Sequence, residues 1–279
     1  AVAGINYTWL PTTGLINPNT AQPTATQPNT YTVTATNPAN GCSANDAVVV
    51  TQNNTLPVAN AGIDKVLTCS VTSVTIGTTA LANTTYSWFP TNGLSNPNTA
   101  QPSASQPGTF TVTATNTING CTATDVVIVT QDITPPTANA GADNVLTCNI
   151  TSVTIGSAAL AGVNYTWTPT SGLSNPNIAQ PSTNQSGTFT VKATSATNGC
   201  SSTDAVTITK NITPPTANAG PDKAISCSLP STQIGTPALA NTTYSWSPTI
   251  GLINPNIAQP TATQSGTFIV TATNTINGC

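Results

Sequence analysis

Tyr86-Ser87-Trp88-Phe89-Pro90 is followed by Gly93-Leu94-Ser95-Asn96-Pro97-Asn98, by Gly108-Thr109-Phe110-Thr111-Val112-Thr113-Ala114-Thr115 and by Asn119-Gly120-Cys121. The same succession begins at Tyr7, Tyr165 and Tyr244. Trp9, Trp88, Trp167 and Trp246 stand 79 residues apart, and so do Cys42, Cys121, Cys200 and Cys279. Cys69, Cys148 and Cys227 keep the same step, with no insertion or deletion anywhere. A period this strict marks an array of one small unit, here about 3.5 copies in 279 residues.

Within the unit, apolar and polar residues alternate. Tyr7 and Trp9 share one face of a strand. Tyr31, Val33 and Ala35 face one way, and Thr30, Thr32, Thr34 and Thr36 the other. Phe110, Phe189 and Phe268 match Tyr31 at the inward position. Position 113 is Thr in the second copy and Lys192 in the third, an outward place where a Lys is harmless. Pro11 to Pro28 and its counterparts are rich in turn formers and read as irregular segments. Asn40-Gly41 signals a hairpin, and Ala47 to Thr51 is its return strand. No stretch shows a sustained helical period. Short strands with frequent turns predict an all-β fold of tandem Ig-like sandwiches.

The repeat divides the chain into residues 1–56, the C-terminal part of a unit; 57–135 and 136–214, two whole units; and 215–279, a unit without its last strand. Thr134-Pro135-Pro136 and Thr213-Pro214-Pro215 mark stiff joints. These limits read as a window on a longer array, or as an edge that a strand from another chain completes.

Composition narrows the function. Charged residues are 4% of the chain, with four Lys, no Arg, seven Asp, no Glu and a net charge of −3. A basic stripe for nucleic acid is lacking, and no apolar run is long enough to insert in a membrane. With neither His nor Glu, and no repeated Lys, catalysis has no acid–base pair to use, and no cofactor is expected. Lys65 and Lys223 align with Asn144, which also argues against repeated Lys–Asn isopeptide bonds. Asp64, Asp143 and Asp222 form one repeated set; Asp46, Asp125 and Asp204 form another. A calcium site needs about six oxygens, so these Asp residues are expected to stabilise turns and no metal is predicted. Asn-x-Ser/Thr triplets at Asn6, Asn83, Asn149, Asn164, Asn184, Asn211 and Asn241 leave glycosylation open.

The motif set Pro57-Val58-Ala59-Asn60-Ala61-Gly62-Ile63-Asp64, Ser73-Val74-Thr75-Ile76-Gly77, Tyr86-Ser87-Trp88-Phe89-Pro90 and Asn119-Gly120-Cys121, with Asp125 after it, resembles the PKD-like and Ig-like tandem repeats of very large bacterial surface proteins, especially Bacteroidetes-type adhesins. The similarity runs through every copy. Trp88 is followed by Phe89-Pro90 rather than Trp-Asp-Phe-Gly-Asp, which resembles the bacterial variant. The resemblance implies a seven-stranded sandwich, export to the bacterial cell surface, and a stalk or adhesive role.

Two kinds of candidate site follow. The Trp and Tyr residues are either a sugar-stacking platform or core; identical placement in all copies favours core. Phe89, where the other copies have Leu10, Thr168 and Ser247, reads as a surface variation. The seven Cys, without metal-type spacing, read as disulfide candidates in an oxidising compartment: Cys42, Cys69, Cys121, Cys148, Cys200, Cys227 and Cys279. Two per unit favours Cys69–Cys121 and Cys148–Cys200, and that pairing is the first expectation. Strand geometry objects. An eight-residue strand separates its ends by ~26 Å, and a disulfide needs Cα atoms within roughly 7 Å. Head-to-tail stacking would instead allow Cys69–Cys200 and Cys148–Cys279, stapling neighbours into a stiff rod. The expected function is a structural and adhesive segment of an extracellular repeat protein or filament. Its partners would be neighbouring repeats and other copies of itself. The alternative is an array of carbohydrate-binding modules that takes surface glycans.

Overall fold

The computed structural model describes residues 1–279, and every regular element is a β-strand. Residues 1–56 hold β1 (Asn6–Leu10), β2 (Leu15–Ile16), β3 (Thr24–Ala25), β4 (Asn29–Thr36) and β5 (Ser43–Val50). Residues 57–135 hold β6 (Lys65–Thr68), β7 (Val74–Thr75), β8 (Thr84–Phe89), β9 (Leu94–Ser95), β10 (Ser103–Ala104), β11 (Gly108–Asn116) and β12 (Thr122–Asp132). Next come β13 (Asn144–Leu146), β14 (Val153–Thr154), β15 (Val163–Thr168), β16 (Ser182–Thr183), β17 (Gly187–Ser195) and β18 (Ser201–Lys210). The last repeat has β19 (Thr232–Gln233), β20 (Thr242–Ser247), β21 (Leu252–Ile253), β22 (Thr261–Ala262) and β23 (Ile269–Asn274). The chain forms two compact units: Ala1–Leu67 with Ser73–Gln131, and Thr68–Thr72 with Asp132–Cys279.

In the first unit, residues 57–135 build one sheet in the order β6-β12-β11-β8 and another in the order β7-β10-β9. In the second unit, residues 136–214 build β13-β18-β17-β15 and β14-β16, with a bridge from Leu173 to Thr183 standing where β9 stands. Two sheets of this order are the arrangement of an Ig-like sandwich whose first strand lies beside its last. β13 runs parallel to β18, with Asn144 opposite Ile208 and Leu146 opposite Lys210, whereas β17 is antiparallel to both β15 and β18. The turn-rich segment expected to be irregular contains β9 and β10, because Leu94 and Ala104 turn inward and close the second sheet.

Each whole repeat encloses its own core, and the two cores share most of their positions. Leu67, Ile76, Trp88, Phe110, Val112 and Val127 are buried in the first; Leu146, Ile155, Trp167, Phe189, Val191 and Val206 in the second. Alternation along β11 and β17 delivers the Phe and Val to the same face. The indole N–H of Trp88 donates to the Thr99 carbonyl at 2.9 Å, and that of Trp167 to Ile178 at 3.0 Å. This anchors the turn-rich segment and leaves no polar atom stranded in the core. The Tyr on the same strand accepts a bond from an N–H five residues upstream, Leu81 to Tyr86 and Leu160 to Tyr165, both at 2.9 Å. A glycine lies against each indole. A Cβ on Gly156, at φ +87°, would sit 2.0 Å from the Ala179 carbonyl oxygen and 3.0 Å from Trp167 Cζ2, so the position admits no side chain.

The repeated Asp residues correct the expectation that they stabilise turns. Asp125 Oδ2 accepts the Ala61 N–H and Asp204 Oδ2 accepts the Ala140 N–H, both at 2.8 Å across 64 residues of chain. Asp64 Oδ1 accepts from Ile128 at 2.9 Å, and Asp143 Oδ1 from Thr207 at 2.7 Å. The reason is that the segment at Pro57–Gly62 joins no ladder, so the buried Ala61 N–H needs a partner that only a side chain supplies. Within the two repeated sets, Asp46 bonds locally, to the Ala47 N–H at 2.9 Å. Replacing Asp125 by Ala should therefore destabilise this sandwich by about 1–3 kcal/mol. Amide exchange would check it: Ala61 should lose protection, while the Phe110 strand keeps more of its own.

Candidate functional site at the cystine joints

The disulfides are Cys69–Cys200 and Cys148–Cys279, each across 131 residues, with Cα atoms 5.0 and 5.1 Å apart. The first-expected pairing of Cys69 with Cys121 and Cys148 with Cys200 is thereby corrected. Leu146 lies opposite Lys210, so Cys148 lies past the end of β18, while Cys200 precedes its beginning. Ten extended residues separate those ends by ~33 Å, several times the span a disulfide bridges. Parallel pairing of first and last strands thus forbids the bond inside a repeat. Cys42, Cys121 and Cys227 are free.

Both cystines belong to the second compact unit, because Thr68–Thr72 groups with Asp132–Cys279. Around Cys200 the organising residue is Asn198, one of three buried polar side chains in the molecule. Its Nδ2 donates to Asp132 Oδ1 and to the Thr134 carbonyl, both at 3.0 Å. Its Oδ1 accepts from the Cys200 N–H at 2.9 Å, and its carbonyl accepts from the Ser70 N–H at 3.2 Å. The side chain therefore holds the Pro-Pro joint and the Cys200 amide, and the backbone carbonyl of the same residue holds the loop carrying Cys69. Asn277 repeats this: Nδ2 to Asn211 Oδ1 at 2.9 Å and to the Thr213 carbonyl at 3.0 Å, Oδ1 to the Cys279 N–H, and its carbonyl to the Cys148 N–H at 3.0 Å. Asn119 makes the linker bonds, to Asn53 Oδ1 and the Thr55 carbonyl, without a cystine beside it.

The glycine between that Asn and the Cys serves two purposes. Gly199 has φ +71°, and a Cβ there would lie 2.7 Å from Ser70 Cβ; Gly278 is equally crowded by the Asn149 side chain. Gly41 and Gly120 share the left-handed conformation but have nothing within 4 Å. Backbone freedom is thus needed at every copy, and close approach only where a Cys loop docks. Read as a plain turn signal, Asn-Gly-Cys conceals the Asn side chain; its recurrence just before a Cys was the available clue.

The other candidates fall elsewhere. Trp88, Trp167 and Trp246 are buried, with Trp88 and Trp167 packed in their cores, and Trp9 is half-buried. Phe89 is 77% exposed. No three Asp or Cys side chains gather into a group that would hold a metal ion.

No family profile and no curated protein matches the chain. Among solved structures it is similar to titin domains I67–I69, at 12% identity over 77% of this chain and 91% of that one, with a TM-score of 0.34. It is similar to Sidekick-1 immunoglobulin domains 1–5, at 12% identity over 97% and 69%, TM-score 0.27. Extracellular domains 3–5 of Drosophila OTK match at 11% identity over 75% and 86%, TM-score 0.28. The fold assignment rests on the strand order given above and not on these likenesses.

Two outcomes are expected. Peptide mapping without reductant should recover Cys69 linked to Cys200; recovery of Cys69 linked to Cys121 would sink the joint. Asn198→Ala should cost about 1–3 kcal/mol through stranded polar groups and expose the Cys200 amide to exchange. Asn119→Ala, with no cystine to hold, should have a smaller effect.

Proposed function

We propose that this chain is a load-bearing, non-enzymatic segment of a long extracellular repeat protein, a stalk, spacer or self-assembling fibre of the kind found in Bacteroidetes-type surface adhesins. The observation that carries the reading is the interleaving of the two cystines. Repeat 136–214 contributes Cys200 to a bond with Cys69 of the repeat before it, and Cys148 to a bond with Cys279 of the repeat after it. A bond placed between successive repeats does little for either core; it limits how far a pulled chain can lengthen. Cystines of this kind persist in oxidising compartments, which supports export to the cell surface. The burial of Trp88 and Trp167 in their cores favours this reading over an array of carbohydrate-binding modules.

Mechanically, the shortest covalent path from Ala1 to Cys279 runs to Cys69, crosses to Cys200, returns to Cys148 and crosses to Cys279. That path contains about 120 residues in place of about 280, so full extension is about 400 Å oxidised and about 950 Å reduced. Pulling single molecules by their termini would test this. Unfolding in the absence of reductant should stop near the shorter limit, and reductant should release the remainder. An oxidised chain that lengthens as far as a reduced one would remove the load-bearing reading.

A further inference from the structure

The sheet β6-β12-β11-β8 of residues 57–135 turns one face to its core and the other to solvent. Alternation puts Phe89 of β8, Val126 and Ile128 of β12 and Val66 of β6 on the outer face. Phe89 is largely exposed, and the other three are about half exposed. Register gathers them into one stripe. Thr111 lies opposite Phe89 on one side and Val126 on the other, and Ile128 follows one step along β12, opposite Thr109. Val66 stands on β6, the next strand over. The rest of the face on β8, β11 and β12 is Thr and Ser, from Thr85 across to Thr130. Asp125, within β12, turns the other way to accept the Ala61 N–H.

The matching sheet of residues 136–214 keeps the same inward residues at Trp167, Phe189, Val191 and Val206. Its outer face differs. Thr168 stands for Phe89, Ala205 for Val126 and Thr207 for Ile128, while Lys192 replaces Thr113. Every other outward position of β15, β17 and β18 is unchanged or trades one polar residue for another. The four differences are neighbours: Thr190 lies opposite Thr168 and Ala205, and Lys192 is one step along the same strand, opposite Thr166 and Thr203. All four act in one direction. One repeat presents an apolar stripe without charge, and the other sets an exposed ammonium in its middle. Core packing does not account for the difference, because the inward residues agree. A contiguous outward apolar stripe is a mark of an interaction surface.

We propose that the outer face of β6-β12-β11-β8 pairs with the same face of a second copy of this chain, a lateral two-fold contact between sandwiches. Charge selects the partner: a face without charged side chains has nothing to offer an acidic or basic surface, and a second copy brings an equally uncharged one. Size agrees. Four strands at ~4.8 Å and nine residues at ~3.4 Å make a face of about 19 by 30 Å. Two such faces bury on the order of 1,200 Å², the lower end for a specific interface, so one contact is weak. Sheets packed face to face lie about 10 Å apart, within reach of Phe89 and the Val and Ile side chains. Residues 136–214 stay out of the pairing, because two of those faces would bring Lys192 ammonium groups together. The inference rests on the self-assembling form of the proposed function. The cystine-limited extension does not depend on it, so the two fail separately.

The test uses the full chain with Cys42, Cys121 and Cys227 each changed to Ser, which keeps both cystines and prevents new ones. Sedimentation equilibrium should give a mass that rises with concentration from 28.1 kDa toward twice that value. Phe89→Thr, Val126→Ala and Ile128→Thr together should return the chain to monomer. Those residues stand at the same places in residues 136–214, so the sandwich folds with them. The reverse set, Thr168→Phe, Lys192→Thr, Ala205→Val and Thr207→Ile, should supply a second face and carry the mass beyond a dimer. A chain still monomeric at about 1 mM overturns the proposal. So does an oligomer whose mass the first set leaves unchanged. A first-set variant that still pairs with the unaltered chain overturns it too, since the stripe would then meet a different surface.

Discussion

The parallel pairing of the first strand with the last is the constraint on which the rest depends. β13 beside β18 closes the sandwich of residues 136–214 by bringing Leu146 onto the core that Trp167 and Phe189 occupy. The same pairing sends the chain out at the far end of β18 from the Asn-Gly-Cys turn. A Cys placed after the first strand and a Cys placed before the last therefore cannot meet within one repeat. They meet only where the end of one repeat faces the beginning of the next. The covalent architecture is thus a consequence of strand direction and needs no special sequence beyond two Cys per period.

The ladder also explains how a chain with 4% charged residues uses its few Asp side chains. An entry segment that joins no sheet leaves backbone N–H groups to be satisfied, and the last strand supplies a carboxylate at the right height. Asp125 and Asp204 hold the entry from the last strand; Asp64 and Asp143 hold the last strand from the entry. Each repeat is thereby latched along one edge by two reciprocal side-chain bonds.

At the joints, the division of labour between side chain and backbone is sharp. Asn198 and Asn277 each satisfy donors and acceptors from three places at once, which is why these polar groups tolerate burial. Gly199 and Gly278 let the backbones approach within contact distance. The cystine then fixes an arrangement that hydrogen bonds already define. In the chain-entropy treatment, closing a loop of 131 residues is worth about 5 kcal/mol against the unfolded chain.

Periodicity was legible because it is a one-dimensional property: Trp9 to Trp246 and Cys42 to Cys279 recur without error, and alternation at Tyr31, Phe110 and Phe189 identifies strands and their inward faces. Local chemistry alone determined the all-β class, the buried Trp and the hairpin at Asn-Gly. The partner of each Cys was decided only in three dimensions, because two per repeat is compatible with bonds inside or between repeats until strand direction is known. The roles of Asp125, Asp204 and Asn198 were hidden for the same reason. Each bonds to backbone about 64 residues away, and a short polar side chain carries in its sequence neighbourhood no sign of a contact that distant. Sequence sets which residues turn inward; only the stacking of strands sets which ends come together.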